Sequence, residues 1–90
     1  MLSGQNILVT GATGAIGQAI CRSLVAEGAR VVVAARRKER LADLVDEIGA
    51  EKAFAFPCDV TDEASVIAMF DAAEARFGLV DTVINNAGMT

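Results

Sequence analysis

The 90-residue chain contains no histidine, no tryptophan and no tyrosine, a single proline and only two cysteines. Each shortage removes a class of chemistry. Without an imidazole, neither a Cys/His zinc site nor a thiol–imidazole nucleophile can be assembled within this chain, so no metal site is expected. Cys21 and Cys58 form no CxxC pair and read as reduced, buried thiols. The N-terminus lacks a basic n-region, and no apolar stretch approaches the roughly 20 residues of a transmembrane helix. A cytoplasmic protein with no membrane partner is therefore expected. The net charge of −4 gives no electrostatic footprint for nucleic acid.

What is present is aliphatic. Hydrophobic residues make up 53% of the chain and aromatics only 4%. That balance suits strands buried on both faces beneath helices, and it argues against disorder. Ninety residues make one small domain.

Short apolar runs alternate with stretches of helical periodicity. Ile7 to Thr10 reads as a strand and Ala15 to Glu27 as a helix, with Ile16, Ala19, Ile20 and Leu24 on one face and Gly28 ending it. Arg30 to Ala35 suits a central parallel strand. Glu39 to Ile48 is a second helix, carrying Leu41, Leu44, Val45 and Ile48 and stopped by Gly49. Ala53 to Cys58 is a third strand, and Pro57, which has no ladder donor, places it at an edge. Thr61 or Asp62 can cap a third helix, where Val66, Phe70, Ala73 and Phe77 share a face before Gly78. Val80 to Asn85 is a fourth strand. Right-handed crossovers then predict an α/β fold: a Rossmann-like doubly wound parallel sheet truncated to four strands, order 3-2-1-4, with three helices. Residues 1–90 form the N-terminal part of one such domain in this reading. The fourth strand is left as an apolar edge, which invites pairing with another copy or aggregation.

The glycines after the first strand carry the strongest chemical signal. Thr10-Gly11-Ala12-Thr13-Gly14-Ala15-Ile16-Gly17 leads from a strand into a helix, the arrangement that sets a pyrophosphate against a helix N-terminus. Gly11 suits the tight turn, Gly14 the approach of phosphate oxygens, and Gly17 close packing of helix on sheet. A plain βα turn is the competing reading of the same residues. At the end of the second strand, where NAD-binding folds place an acid on the ribose hydroxyls, stand Arg36 and Arg37. A guanidinium makes charge-assisted, often bidentate bonds to a 2′-phosphate, so NADP is expected in preference to NAD. Two solvated arginines would give the same pattern. Asp59 could accept from the adenine amino group while Val60 packs beside the ring; both also read as residues of a helix entry. Asn85-Asn86-Ala87-Gly88 ends the fourth strand, where ligands bind in open α/β sheets. The Asn side chain can tie strand ends together, and Ala87 and Gly88 leave room for a cofactor, although an Asn-rich turn is also compatible.

Taken in order, Thr10-Gly11-x-x-x-x-x-Gly17, Ala35-Arg36-Arg37, Cys58-Asp59-Val60-Thr61-Asp62 and Asn85-Asn86-Ala87-Gly88 resemble the N-terminal part of a short-chain dehydrogenase/reductase. The resemblance covers essentially the whole chain. Its glycine pattern departs from the family's commonest TGxxxGxG, because position 15 is Ala and the middle glycine is Gly14. That spacing resembles the TGxxGxxG of extended, epimerase-like members, whereas the other motifs resemble the main reductase branch. The resemblance implies that Gly11, Thr13, Gly14 and Ile16, with Ala15 and Gly17 in the same turn, line the phosphates. It implies Arg36, with Arg37 beside it, at the 2′-phosphate, Asp59 and Val60 at the adenine, and Asn86, Ala87 and Gly88 along the ribose side. It further implies hydride transfer between NADPH and a carbonyl or alcohol, using a Ser and a YxxxK motif further along a longer chain. This chain has no tyrosine, and its only lysines, Lys38 and Lys52, fall in the cofactor half. No catalytic residue is expected within it, and substrate would bind only to a complete protein. The other readings are a non-catalytic nucleotide-binding or structural half-domain that dimerises, and a fragment of an epimerase-like member.

Overall fold

The computed structural model describes residues 3–59 and 61–86. Four parallel strands and three helices alternate: β1 (Asn6–Thr10), α1 (Ala15–Ala26), β2 (Arg30–Ala35), α2 (Lys38–Ile48), β3 (Ala53–Pro57), α3 (Glu63–Phe77) and β4 (Thr82–Asn85). The sheet order is β3-β2-β1-β4, the order expected from the sequence. Val9 pairs with Val33 of β2 on one side and Ile84 of β4 on the other, so β1 lies inside the sheet. Pro57 sits at the last register position of β3, opposite Ala35, on the outer edge where its missing N–H costs no ladder bond.

Alternation along the strands divides the core into two layers. Ile7, Val9, Val31, Val33 and Ala53 face α1 and α2 and meet Cys21, Leu41 and Leu44. Leu8, Val32 and Ala34 face the opposite way onto Met69, Ala73 and Phe77 of α3. The central strands are buried on both faces, which is why they read as unbroken aliphatic runs. Each such Val or Leu contributes about 1.5–3 kcal/mol by leaving water.

Two helix faces differ from expectation. Ile16 is 58% exposed and Ala19 is also exposed; the inward stripe of α1 is Gly17, Ile20, Cys21, Leu24 and Val25. The cause is Gly17, which must face the strand for the helix to approach, and about 100° per residue then turns Ile16 outward. On α3 the largest fully buried side chain is Met69, which joins Val66, Phe70, Ala73 and Phe77. Asp62, not Thr61, caps α3, its carboxylate accepting from the Ala64 N–H at 3.1 Å. Helix α2 starts one residue earlier than expected, and β4 starts at Thr82 instead of Val80.

The amino ends of the strands are tied to the end of α3. Asn6 Nδ2 donates to the carbonyls of Phe77 (3.1 Å) and Leu79 (2.9 Å), and the Asn6 N–H donates to Asp81 Oδ2 at 2.8 Å. Arg30 also donates to the Phe77 carbonyl, and the guanidinium carbons of Arg30 and Arg76 lie 5.2 and 5.1 Å from the Phe77 ring centroid. These contacts leave the opposite, carboxyl ends of the strands as the place where loops can meet a ligand. No helix among the described residues is long and apolar enough to cross a membrane.

Candidate functional site

The site begins where β1 ends. Gly11 has φ +63°, a left-handed conformation that a side chain would strain, and it turns the chain sharply off the strand. The Ala12 N–H donates to the Ala34 carbonyl at 3.1 Å, so the turn is anchored to β2. Gln18 reaches back along α1 and donates from Nε2 to the Thr13 carbonyl at 2.7 Å. A Cβ on Gly17 would overlap the Gly11 carbonyl oxygen and lie 2.8 Å from Ala12 Cα, so glycine here is a packing requirement.

Gly14 is different. Its φ of −72° is open to any residue, and a Cβ would meet only the Gly11 oxygen, at an ordinary 3.7 Å. Neither its conformation nor packing among the described residues demands glycine at this exposed point. Gly14 is also the N-cap of α1, which has no side-chain cap and no acid in its first turn. The N–H groups of that turn, at Ala15, Ile16 and Gly17, thus lack the side-chain oxygen that Asp62 provides to α3. The helix start presents bare donors and positive dipole beside a residue with no bulk.

A second group of residues joins the ends of β1 and β4. The Thr10 hydroxyl donates to Asn85 Oδ1 at 3.0 Å and accepts from the Asn86 N–H at 2.9 Å. Asn86 Nδ2 donates to the Gly11 carbonyl at 3.2 Å. Asn86 is therefore a buried tie between strand end and glycine turn, and its Oδ1 is buried with no hydrogen-bond partner among the described residues. An unpaired buried acceptor costs about 1–3 kcal/mol, which a donor arriving from outside would recover.

The third group stands at the ends of β2 and β3. Arg36 and Asp59 approach one another, Nη2 to Oδ1, at 3.6 Å, with side chains 71% and 48% exposed. Asp59 Oδ1 also accepts from the Thr61 hydroxyl at 2.6 Å and the Thr61 N–H at 2.9 Å. These two bonds, with a smaller contribution from Arg36, hold the Asp59 carboxyl below the usual carboxylate range. Arg37 is the N-cap of α2; its carbonyl accepts from the Leu41 N–H at 3.2 Å, and its exposed side chain makes no cap bond.

Gly11, Thr13, Gly14, Ala15, Ile16, Gly17 and Asn86 thus converge around the β1 end, and Arg36 meets Asp59 at the neighbouring strands. Val60, Ala87 and Gly88 lie outside the described residues. Sequence reasoning passed over Thr10 and Gln18 as parts of the site. Thr10 is visible only as the residue before the first glycine, and its partners are 75 and 76 positions away. The reach of the Gln18 side chain five residues back, from α1 to a carbonyl of the preceding turn, leaves no distinctive pattern.

Comparison with known proteins gives a consistent picture. A family model described as short chain dehydrogenase matches residues 5–90. Momilactone A synthase of Oryza sativa subsp. japonica is 44% identical over 89 residues, covering 99% of this chain and 32% of its own. A putative ketoacyl reductase of granaticin polyketide synthesis in Streptomyces violaceoruber is 49% identical over 83 residues, covering 90% and 30%. Among solved structures, the 3-ketoacyl-(acyl-carrier-protein) reductase of Brucella melitensis complexed with NADH superposes with a TM-score of 0.88 at 35% identity, over 92% of this chain and 34% of that one. The chain spans about a third of the length of the curated relatives it matches.

Proposed function

Because this chain belongs to the short-chain dehydrogenase family, we propose that it is the dinucleotide-holding part of an oxidoreductase and that it takes NADP in preference to NAD. The observation that carries the proposal is the start of α1: an uncapped helix N-terminus behind a left-handed Gly11, with Gly14 vacant of side chain though nothing among the described residues requires it. A pyrophosphate satisfies those donors and fits that space. The buried Asn86 Oδ1, which has no donor among the described residues, supports a ribose hydroxyl along the same crevice.

In this reading Gly11, Thr13, Gly14, Ala15, Ile16 and Gly17 form the phosphate turn, with the backbone donating. Arg36 faces the 2′-phosphate and Arg37 adds positive charge beside it. Asp59 accepts from the adenine amino group and Val60 packs at the ring; Asn86, Ala87 and Gly88 follow the ribose toward the nicotinamide. The bound nicotinamide supplies the hydride. In a longer protein the reaction is transfer between NADPH and a carbonyl or alcohol, in the cytoplasm. The 90 residues contain no tyrosine to protonate the product oxygen, so in this reading they bind cofactor without turning over a carbonyl.

Calorimetric titration with NADP and NAD tests the central claim. The chain is expected to bind NADP more tightly, by roughly tenfold or more for a charge-assisted contact. Arg36→Asp is expected to abolish that margin. Selectivity unchanged in the variant would refute the assignment of Arg36, and a chain that binds neither dinucleotide would refute the function.

A further inference from the structure

Both ends of the half-buried Gln18 carboxamide are engaged. Its Nε2 donates to the Thr13 carbonyl at 2.7 Å, and its Oε1 accepts from Arg22 Nη2 at 3.1 Å. A carbonyl only accepts and a guanidinium only donates, so the two neighbours together fix the amide with its nitrogen toward the glycine turn. Arg22 is held in its turn by Glu47 of α2, at 2.7 Å. The Gln18 backbone works on the same turn, its N–H donating to the Gly14 carbonyl at 2.9 Å. One residue thus grips both peptide groups that meet at Gly14. The other bond to the Thr13–Gly14 peptide, from the Gly14 N–H to the Gly11 carbonyl, is long at 3.3 Å. Gly14 itself adds no restraint, since glycine has the most conformational freedom to lose on ordering.

We propose that Gln18 is a positioning residue for the pyrophosphate turn: its side chain clamps the Thr13–Gly14 peptide to α1, so the turn is set before the ligand arrives. The proposal rests on the nucleotide reading above and adds to it a residue that acts through the Thr13 carbonyl. Ordering a loose turn at the moment of binding is subtracted from affinity, whereas a turn already clamped has met that cost on folding. The bond also keeps the negative end of the Thr13–Gly14 dipole against the Gln18 amide, where it is not free to swing toward a bound anion. The clamp serves any ligand that carries a pyrophosphate. It takes no part in the choice between NADP and NAD, which belongs to Arg36.

The test uses the full chain carrying Gln18→Met, which keeps side-chain length and helix propensity but removes the donor. Titration with NADP and with NAD is expected to show both weakened alike, roughly three- to tenfold, the worth of one net hydrogen bond. Their affinity ratio is expected to stay where it was. Adenosine 2′-monophosphate reaches Arg36 but carries no pyrophosphate, and its affinity is expected to be unchanged. In the ligand-free chain, heteronuclear NOE values of the Thr13 and Gly14 amides are expected to fall while those within α1 hold, reporting a turn loosened on the picosecond-to-nanosecond scale. Dinucleotide affinity equal to wild type overturns the proposal. So does an equal loss for adenosine 2′-monophosphate, which marks a general structural defect, and so does a loss of affinity with unchanged NOE values. A wild-type chain that binds neither dinucleotide overturns the nucleotide reading and this inference with it; a variant that binds as well as a competent wild type overturns this inference alone.

Discussion

Single residues decide how closely this chain can fold against itself. Gly17 is the sharpest case, since the atom that alanine would add overlaps backbone that cannot rotate away. Gly17→Ala is expected to cost about 1–3 kcal/mol through overpacking, more than the helix propensity it gains, and urea denaturation measures it. Cys21 makes a different kind of test. Burial pushes its thiol up from 9.0 to about 11, against a weaker opposing pull from Arg22. A group whose folded value lies above its unfolded one stabilises fully below the unfolded value and loses that contribution as pH rises through the folded one. Thermal melts should therefore show a stability decline between about pH 9 and 11, and Cys21→Ala should remove that part of the slope. These residue-scale demands were only partly legible in the sequence. Spacing identified Gly17 as a packing glycine, but the same constraint turned Ile16 outward, and an apolar count along the helix could not weigh a steric limit against a hydrophobic preference. The Thr10, Asn85 and Asn86 tie joins residues some 75 positions apart, so only the strand order brings it into view.

At the scale of elements, the helices end as expected because their terminators are local. Gly28, Gly49 and Gly78 all follow helical stretches and all have positive φ. Starts are less uniform. Helix α3 opens on an Asp62 cap with Glu63 in its first turn, whereas α1 opens with neither. Asp62→Ala is expected to lower stability by about 1 kcal/mol, read as a shift of the urea midpoint at constant slope. No comparable loss is available at α1, where the donors have no side chain to lose. This contrast is what a bound anion would erase, and sequence alone marked the difference through Gly14. Element type and order were legible because every strand is an aliphatic run and every helix has a periodic face. The strand boundaries were less so: Val80 is apolar, but the bond between Asp81 N–H and the Asn6 carbonyl leads into β4 without making Val80 part of it.

For the whole molecule, the parallel sheet has two unlike edges. β3 ends in Pro57 and is packed by α2 and α3, whereas β4 is short and carries a half-exposed Val83. Val83→Lys places a charge on that half-exposed position and is expected to change stability by less than about 0.5–1 kcal/mol, measured by urea denaturation. Sequence could identify β4 as an edge strand but not how much of its surface neighbouring loops would leave open. The position of β1 has a further outcome. It is the first of the described strands to be made, yet one of its two neighbours is β4, the last of them, and the Asn6 amide waits for carbonyls 71 and 73 residues downstream. A nascent chain halted on the ribosome before Phe77 would hold its opening strand with one flank bare, so stable docking of that strand is timed to the end of this segment's translation and not to its start.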